Sequence, residues 1–167
     1  NPFMATLESA TRAGQRMEKI TTDILSLERI ENLQIDQGVS ISLRTLVHDT
    51  FYEFESQAGN KAQKYTLEIA GEDELKVRGD GAQLREAIAN LMSNAIKYNR
   101  TNGSVIVSGN YTATDQTITI QDTGLGIPED SIPHLFEKFY RVREHEGKAS
   151  GTGLGLSISK QIIQGHN

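Results

Sequence analysis

Cysteine and tryptophan are both absent from the 167 residues. Without cysteine there is no disulfide, no Cys-ligated zinc and no thiol nucleophile, a usage compatible with a reducing cytoplasm. Aromatic residues amount to 6% within a hydrophobic content of 37%, so aliphatic side chains must fill the core. No apolar run approaches the roughly 20 residues needed to cross a bilayer, and no charged-then-apolar signal opens the chain. A piece without a membrane segment is therefore expected, cytoplasmic in location, with a membrane anchor in a longer parent left open. A surplus of positive charge is missing too. Lys+Arg 17 against Asp+Glu 22 leaves a net charge of −5, which argues against nucleic acid as a partner. The length suits one domain with an appendage. The start at Asn1 and the stop at Asn167 are those expected of a fragment.

What is present begins with a heptad. Phe3, Ala10, Met17 and Ile24 fall seven apart, and Ala13, Ile20 and Leu27 follow three later, an a/d seam. One long helix over 1–36 is predicted, with Arg, Glu and Lys on its outer positions. A seam of roughly four heptads calls for a partner helix, in a bundle or a dimer; packing against its own domain alone is the alternative. Gln34–Gly38 reads as a hinge. Over 37–167 the pattern predicts a strand at Val39–Ser42, a helix at Leu43–Ala58 and strands at Tyr65–Ile69 and Lys76–Arg78. A helix at Asp80–Tyr98, strands at Ser104–Asn110 and Thr117–Asp122, and a last helix at Leu154–Gln164 follow. Helices and hairpin-like strands without βαβ regularity make this α+β with an antiparallel-rich sheet.

Four segments carry chemistry. On the helix opened by Asp80, with Gln83 completing a capping-box variant, Leu84, Ile88, Leu91 and Ala95 form the apolar stripe. Glu86, Asn90, Asn94 and Lys97 share another face, where two asparagines, poor helix-interior residues, suit polar ligation better than a merely solvated face does. In Thr117–Asp122 the alternation puts Asp122 on the face of Ile118 and Ile120, where a carboxylate needs a donor, such as a ligand amino group. The same Asp starting a tight turn is the plainer reading. Gly124 and Gly126 then let backbone lie against a flat ligand. Phe136–Arg141 joins apolar anchors to a cation, and Arg143–Ser150 reads as a mobile lid or a plain surface loop. Finally, Gly151-Thr-Gly-Leu-Gly-Leu156 leads into a helix, an arrangement of backbone N–H groups suited to phosphate. It is neither a Walker A loop, which needs a Lys where Leu156 stands, nor a Rossmann loop.

Taken together, Asn90–Tyr98, Asp122–Ile127, Phe136–Arg141 and Gly151–Leu156 resemble the N, G1, F and G2 boxes of sensor histidine kinases, in that order. Arg16–Glu31 is similar to the second helix of that family's dimerisation and histidine-phosphotransfer module. The resemblance implies a Bergerat-type α/β sandwich at 37–167, preceded by a bundle helix at 1–36. It implies ATP and Mg2+ as ligands, a homodimer through the helical arm, and a response regulator as partner.

By motif position, Asn94 is the expected metal ligand and Asn90 its neighbour in the nucleotide site. Lys97 and Tyr98 fall to the phosphate or ribose side, and Asp122 to the adenine amino group, with Gly124, Gly126 and Ile127 beside it. Tyr140 and Arg141 follow, Arg141 as the cation near the terminal phosphate, and Gly151, Thr152, Gly153, Leu154, Gly155 and Leu156 as the phosphate cradle. Asn90 stands where related gyrase-type ATPases carry a Glu that activates water; an Asn cannot be a general base, which favours transfer to a protein side chain over hydrolysis. Arg141 and Asn90 are thus the expected catalytic pair. None of His48, His134, His145 or His166 sits in an H box, so the acceptor histidine is expected outside this chain, and His134 and His166 read as surface residues. The family continues with closing strands beyond the G2 helix, so the sandwich is expected to be truncated there. A nucleotide-binding pseudokinase scaffold, and an anti-sigma-factor-type serine kinase, are the competing functions.

Overall fold

The computed structural model describes residues 2–32, 39–69, 76–111, 116–145 and 151–166. Helix α1 (Pro2–Asn32) is followed by β1 (Ser40–Ser42), α2 (Leu43–Gly59), β2 (Lys64–Ile69), β3 (Lys76–Arg78) and α3 (Gly81–Lys97). Then come β4 (Ser104–Tyr111), β5 (Gln116–Asp122) and α4 (Gly155–Gly165), with short 3-10 helices at Glu129–His134 and Arg143–His145. The hinge expected at Gln34–Gly38 lies outside the described residues, as does the 146–150 part of the expected lid.

The strands form a mixed sheet in the order β2-β4-β5 and a separate β1-β3 ribbon. β2 runs parallel to β4, with Tyr65 beside Val105 and Leu67 beside Val107. β4 and β5 are antiparallel, with Val107 opposite Ile120 and Val105 opposite Asp122. Helices α2 and α3 cover one face of this sheet. Ser42 opens α2 by accepting from Thr45 N–H at 3.2 Å, and Val47, Phe51 and Ala58 turn inward to meet Met92, Ile96, Val105 and Val107. The ring of Phe51 stacks on Tyr65 at 4.0 Å; burial, with Glu55 adding to it, pushes the Tyr65 hydroxyl pKa up. Each of the buried Val, Ile, Met and Phe side chains contributes about 1.5–3 kcal/mol by leaving water.

The apolar stripe expected on α3 holds at Leu84, Ile88 and Ala95 and fails at Leu91, whose place Met92 takes. Met92 is fully buried while Leu91 is 37% exposed, because the helix is gripped on two sides, by the sheet through Ile88, Met92, Ala95 and Ile96 and by α4 through Leu84 and Ala87. Its ends are secured by tertiary partners. Asp80 Oδ1 accepts from Ala82 and Gln83 N–H at 2.8 and 3.1 Å, but Gln83 does not return the bond. The N–H of Asp80 donates instead to His166 Nε2 at 2.9 Å, while His166 Nδ1 donates to Ile162 O at 2.7 Å. His166 is therefore a half-buried tie between the end of α4 and the start of α3, not a surface residue. At the other end Lys61 Nζ donates to Ile96 O and Lys97 O at 3.0 and 2.8 Å, a cation at the negative helix pole.

The seam of α1 divides. Leu27 enters a second core with Leu84, Ala87, Leu154, Ile158 and Ile162, and Ile30 packs at its edge; Met17 and Ile24 remain 70% and 40% exposed. Packing against its own domain thus accounts for the C-terminal part of one row of the heptad, and the Met17/Ile24 row stays outside it.

A Cβ built on Gly79 would stand 2.1 Å from His166 Cδ2. Gly79 also has a φ of 154°, which L side chains rarely adopt, so Gly79→Ala is expected to cost about 1–3 kcal/mol through backbone strain and a displaced imidazole together; only the imidazole part is expected to vanish in a His166→Ala background, a coupling that urea denaturation of the four-member mutant cycle measures.

Candidate functional site

A cleft of about 1350 Å3 opens between α1, the polar face of α3, the turn after β5 and the loop before α4. Asn90, Asn94 and Lys97 reach it from successive turns of α3. Asn90 Nδ2 donates to Gly155 O at a long 3.4 Å, bracing the glycine loop against the helix. Tyr98, the C-terminal cap of α3, lies with its ring under Lys97 Nζ at 5.2 Å and beside the His145 ring at 5.6 Å.

Asp122 ends β5 in register with Ile118 and Ile120, yet it is exposed over the open cleft, so the desolvation that the strand pattern led one to expect does not arise. Its Oδ1 accepts from Gly124 N–H at 2.8 Å. The tight-turn role and the cleft-lining role belong to the same side chain. Gly124 has no substitute here: a Cβ would lie 2.5 Å from Tyr98 O and 2.6 Å from Asp122 Oδ1. The turn is held down by Leu125 N–H on Tyr98 O and Thr123 N–H on Ser104 O, each at 3.1 Å. Gly126 and Ile127 continue the rim.

From the segment after the first 3-10 helix, Tyr140 and Arg141 line the cleft. Phe136 and Phe139, read from the sequence as apolar anchors, are instead 47% and 59% exposed, and Val142 is the buried residue of the segment. Phe139 takes a φ of 66°, and its N–H donates to Gly153 O at 2.9 Å. A Cβ on Gly153 would meet the Phe139 carbonyl carbon at 2.6 Å, so the two segments cross backbone on backbone. Gly151, Thr152, Gly153, Gly155 and Leu156 all face the cleft. Leu154, expected among them, is fully buried in the second core, and its side chain anchors the loop from behind.

The charges converge. Burial first, then the neighbouring charges of Arg141, Lys19 and Lys61, holds the Lys97 pKa below its ordinary value, and a Cβ on Gly151 would come within 3.0 Å of Lys97 Nζ. Cations that raise one another's charging cost beside a glycine loop make a site for an anion. Every site residue named from the sequence apart from Leu154 lines this one cleft.

Sequence reasoning missed the wall formed by α1, where Arg16, Lys19 and Asp23 line the cleft, and it missed His145, which is buried against Tyr98. Asp23 had a signal: it shares the helical stripe of Leu27 and Ile30, an acid on an apolar face. Nothing in the sequence around His145 marks it.

Residues 79–167 match the family described as histidine kinase-, DNA gyrase B-, and HSP90-like ATPase. The sensor histidine kinase RppB of Synechocystis sp. is 35% identical over 162 residues, which cover 96% of this chain and 36% of that protein. The catalytic domain of histidine kinase ThkA superposes with a TM-score of 0.67 at 26% identity, over 77% of this chain and 80% of that one. With the arm included, ThkA in complex with the response regulator protein TrrA matches in fold, with a TM-score of 0.71 at 20% identity over 92% of this chain and 42% of that one. The chain thus spans little more than a third of the length of RppB. The Bergerat-type sandwich, the cleft and these matches agree, and the chain belongs to the histidine kinase-, DNA gyrase B- and HSP90-like ATPase family, as an ATP-binding domain of the sensor histidine kinase kind.

Proposed function

We propose that this chain binds ATP with Mg2+ and positions the γ-phosphoryl group for a histidine outside the chain, from which it passes to an aspartate of a response regulator. The observation that carries this reading is the convergence of residues from four separate segments, Asn90, Asp122, Arg141 and Gly151 among them, on one cleft. Asp122 would accept from the adenine amino group while the backbone at Gly124 lies against the ring. Lys97, Arg141 and the N–H groups of the glycine loop would bear the phosphates, and Arg141 would stabilise charge on the phosphoryl group as its bond to the bridging oxygen breaks and the bond to the acceptor nitrogen forms.

Among the described residues no group of three His, Asp or Glu side chains could cage a metal. The donors present fit a cation that arrives with the nucleotide, keeps most of its water and takes an amide oxygen from Asn94, with Asn90 alongside. Bound so, Mg2+ supplies neutralisation of the phosphate charge. Among the described residues the carboxylates lining the cleft are Asp23 and Asp122, already engaged with Thr152 and with Gly124 N–H. Neither stands at Asn90, where a base would activate water, which supports transfer over hydrolysis.

Residues 1–36 would serve dimerisation and phosphotransfer and 37–167 nucleotide binding. The exposed row of Met17 and Ile24 supports a second helix packing on α1.

Asn94→Ala and Asp122→Ala are each expected to weaken Mg-dependent ATP binding roughly tenfold or more, and labelled γ-phosphate is expected on a supplied first-helix peptide carrying the parent's H box. Absence of Mg-dependent binding overturns the reading; binding without transfer to a correctly assembled bundle favours a pseudokinase scaffold. A pH dependence follows from Lys97. Between its lowered pKa and the ordinary 10.5 the unfolded chain holds a proton that the folded chain has lost, so stability rises with pH through that window. Lys97→Met is expected to flatten the rise, and so is saturating ATP, which favours the ammonium; denaturation midpoints across the alkaline range read both.

A further inference from the structure

The wall of the cleft that no nucleotide motif supplies is α1. Asp23 is 2% exposed, and a carboxylate so buried is costly unless hydrogen-bonded on both sides. It is. Asp23 Oδ2 accepts from Thr152 Oγ1 at 2.7 Å, within the glycine loop, and Oδ1 pairs with Lys19 Nζ at 2.8 Å. Lys19 lines the cleft one helical turn before Asp23, and its side chain is 59% exposed. A small apolar residue at position 23 would complete the stripe of Leu27 and Ile30 without an ionic cost. The acid in its place does two things that such a residue could not: it fixes an ammonium at the mouth of the cleft and it ties that ammonium to the loop.

Lys19 is close enough to Lys97 for its charge to depress the Lys97 pKa, as Arg141 does. Asp23 offsets one of these cations. Lys97 Nζ lies within 3.0 Å of where a Cβ on Gly151 would stand and shares the cleft with Lys19, a gathering of cations suited to a multiply charged anion.

We propose that Lys19 is a further phosphate-contacting residue of this cleft and that Asp23 is its positioning residue, so that the helical arm completes the nucleotide site. The inference rests on the nucleotide reading above. Its consequence is linkage: if α1 supplies a phosphate contact only when docked, ATP favours the docked arm and the docked arm favours ATP by the same factor. A nucleoside without phosphates gains nothing from Lys19.

Equilibrium binding of ATP and of adenosine to the chain and to Lys19→Met, Lys19→Arg and Asp23→Asn variants tests this. Lys19→Met is expected to weaken ATP on the order of tenfold and leave adenosine unmoved. Lys19→Arg is expected to retain most of the ATP affinity, and Asp23→Asn, which keeps an acceptor for Thr152, to show a smaller loss confined to ATP. Lys19→Met strips the buried Asp23 of one of its two partners and is expected to lower the unfolding temperature, so ATP and adenosine are compared at a temperature at which thermal denaturation without ligand shows every variant folded. Equal ATP affinity in Lys19→Met and the parent overturns the inference and leaves the nucleotide reading intact. Equal losses for ATP and adenosine overturn it as well, since they assign Lys19 to holding α1 rather than to phosphate. Failure of the parent chain to bind ATP overturns the nucleotide reading itself, and this inference with it.

Discussion

The packing of α3 between the sheet and α4 is the constraint on which the rest depends. With Met92 and Ile96 committed to the sheet and Leu84 and Ala87 to α4, the one remaining sector of the helix carries Asn90, Asn94 and Lys97. That sector is half-buried and faces the cleft, so amides placed there have the glycine loop and a ligand as their partners. The same burial leaves the carbonyl groups at the end of α3 to be satisfied by Lys61 and by the turn after β5. The turn is therefore positioned by the helix that it helps to terminate, and Asp122 inherits its place from that arrangement.

What could be read in advance was whatever repeats or sits at a fixed offset. The helices and strands announced themselves by period, and the glycine and asparagine motifs by spacing, because a backbone approach as close as that of Gly124 to Tyr98 O admits one residue type. What escaped was set by partners far away in the chain. Leu91 and Met92 are adjacent and both apolar, and only the angle between sheet and α4 decides which is buried. Leu154 looks like any other member of a glycine-rich loop until α1 and α3 are seen behind it. His166 had no local reason to be anything but a frayed end, and Asp122 lost its expected desolvation because the cleft beneath it is open. Phe136 and Phe139 were read by hydrophobicity alone, which does not say which side of a loop faces the core.

The electrostatic arrangement explains why the arm belongs to the same account. Lys97 sits among cations at a cost that burial enlarges, and such a cluster is stable in a folded protein only where stability is drawn from elsewhere, here from two apolar cores. Leu27 belongs to one of these cores and Asp23, one turn earlier, to the cleft. A helix whose side chains divide in this way cannot shift along its axis without disturbing both.

The bond between Asp80 and His166 joins positions 86 residues apart. Asn90, Asp122, Arg141 and the glycine loop all fall between them, so every wall of the cleft but α1 lies on a single ring of chain that one imidazole closes. Closing a ring of that length carries an entropic cost that the contacts inside it must offset. The imidazole lines no part of the cleft, yet it joins the two helices that frame it, so the register of the walls is held from a point outside the site.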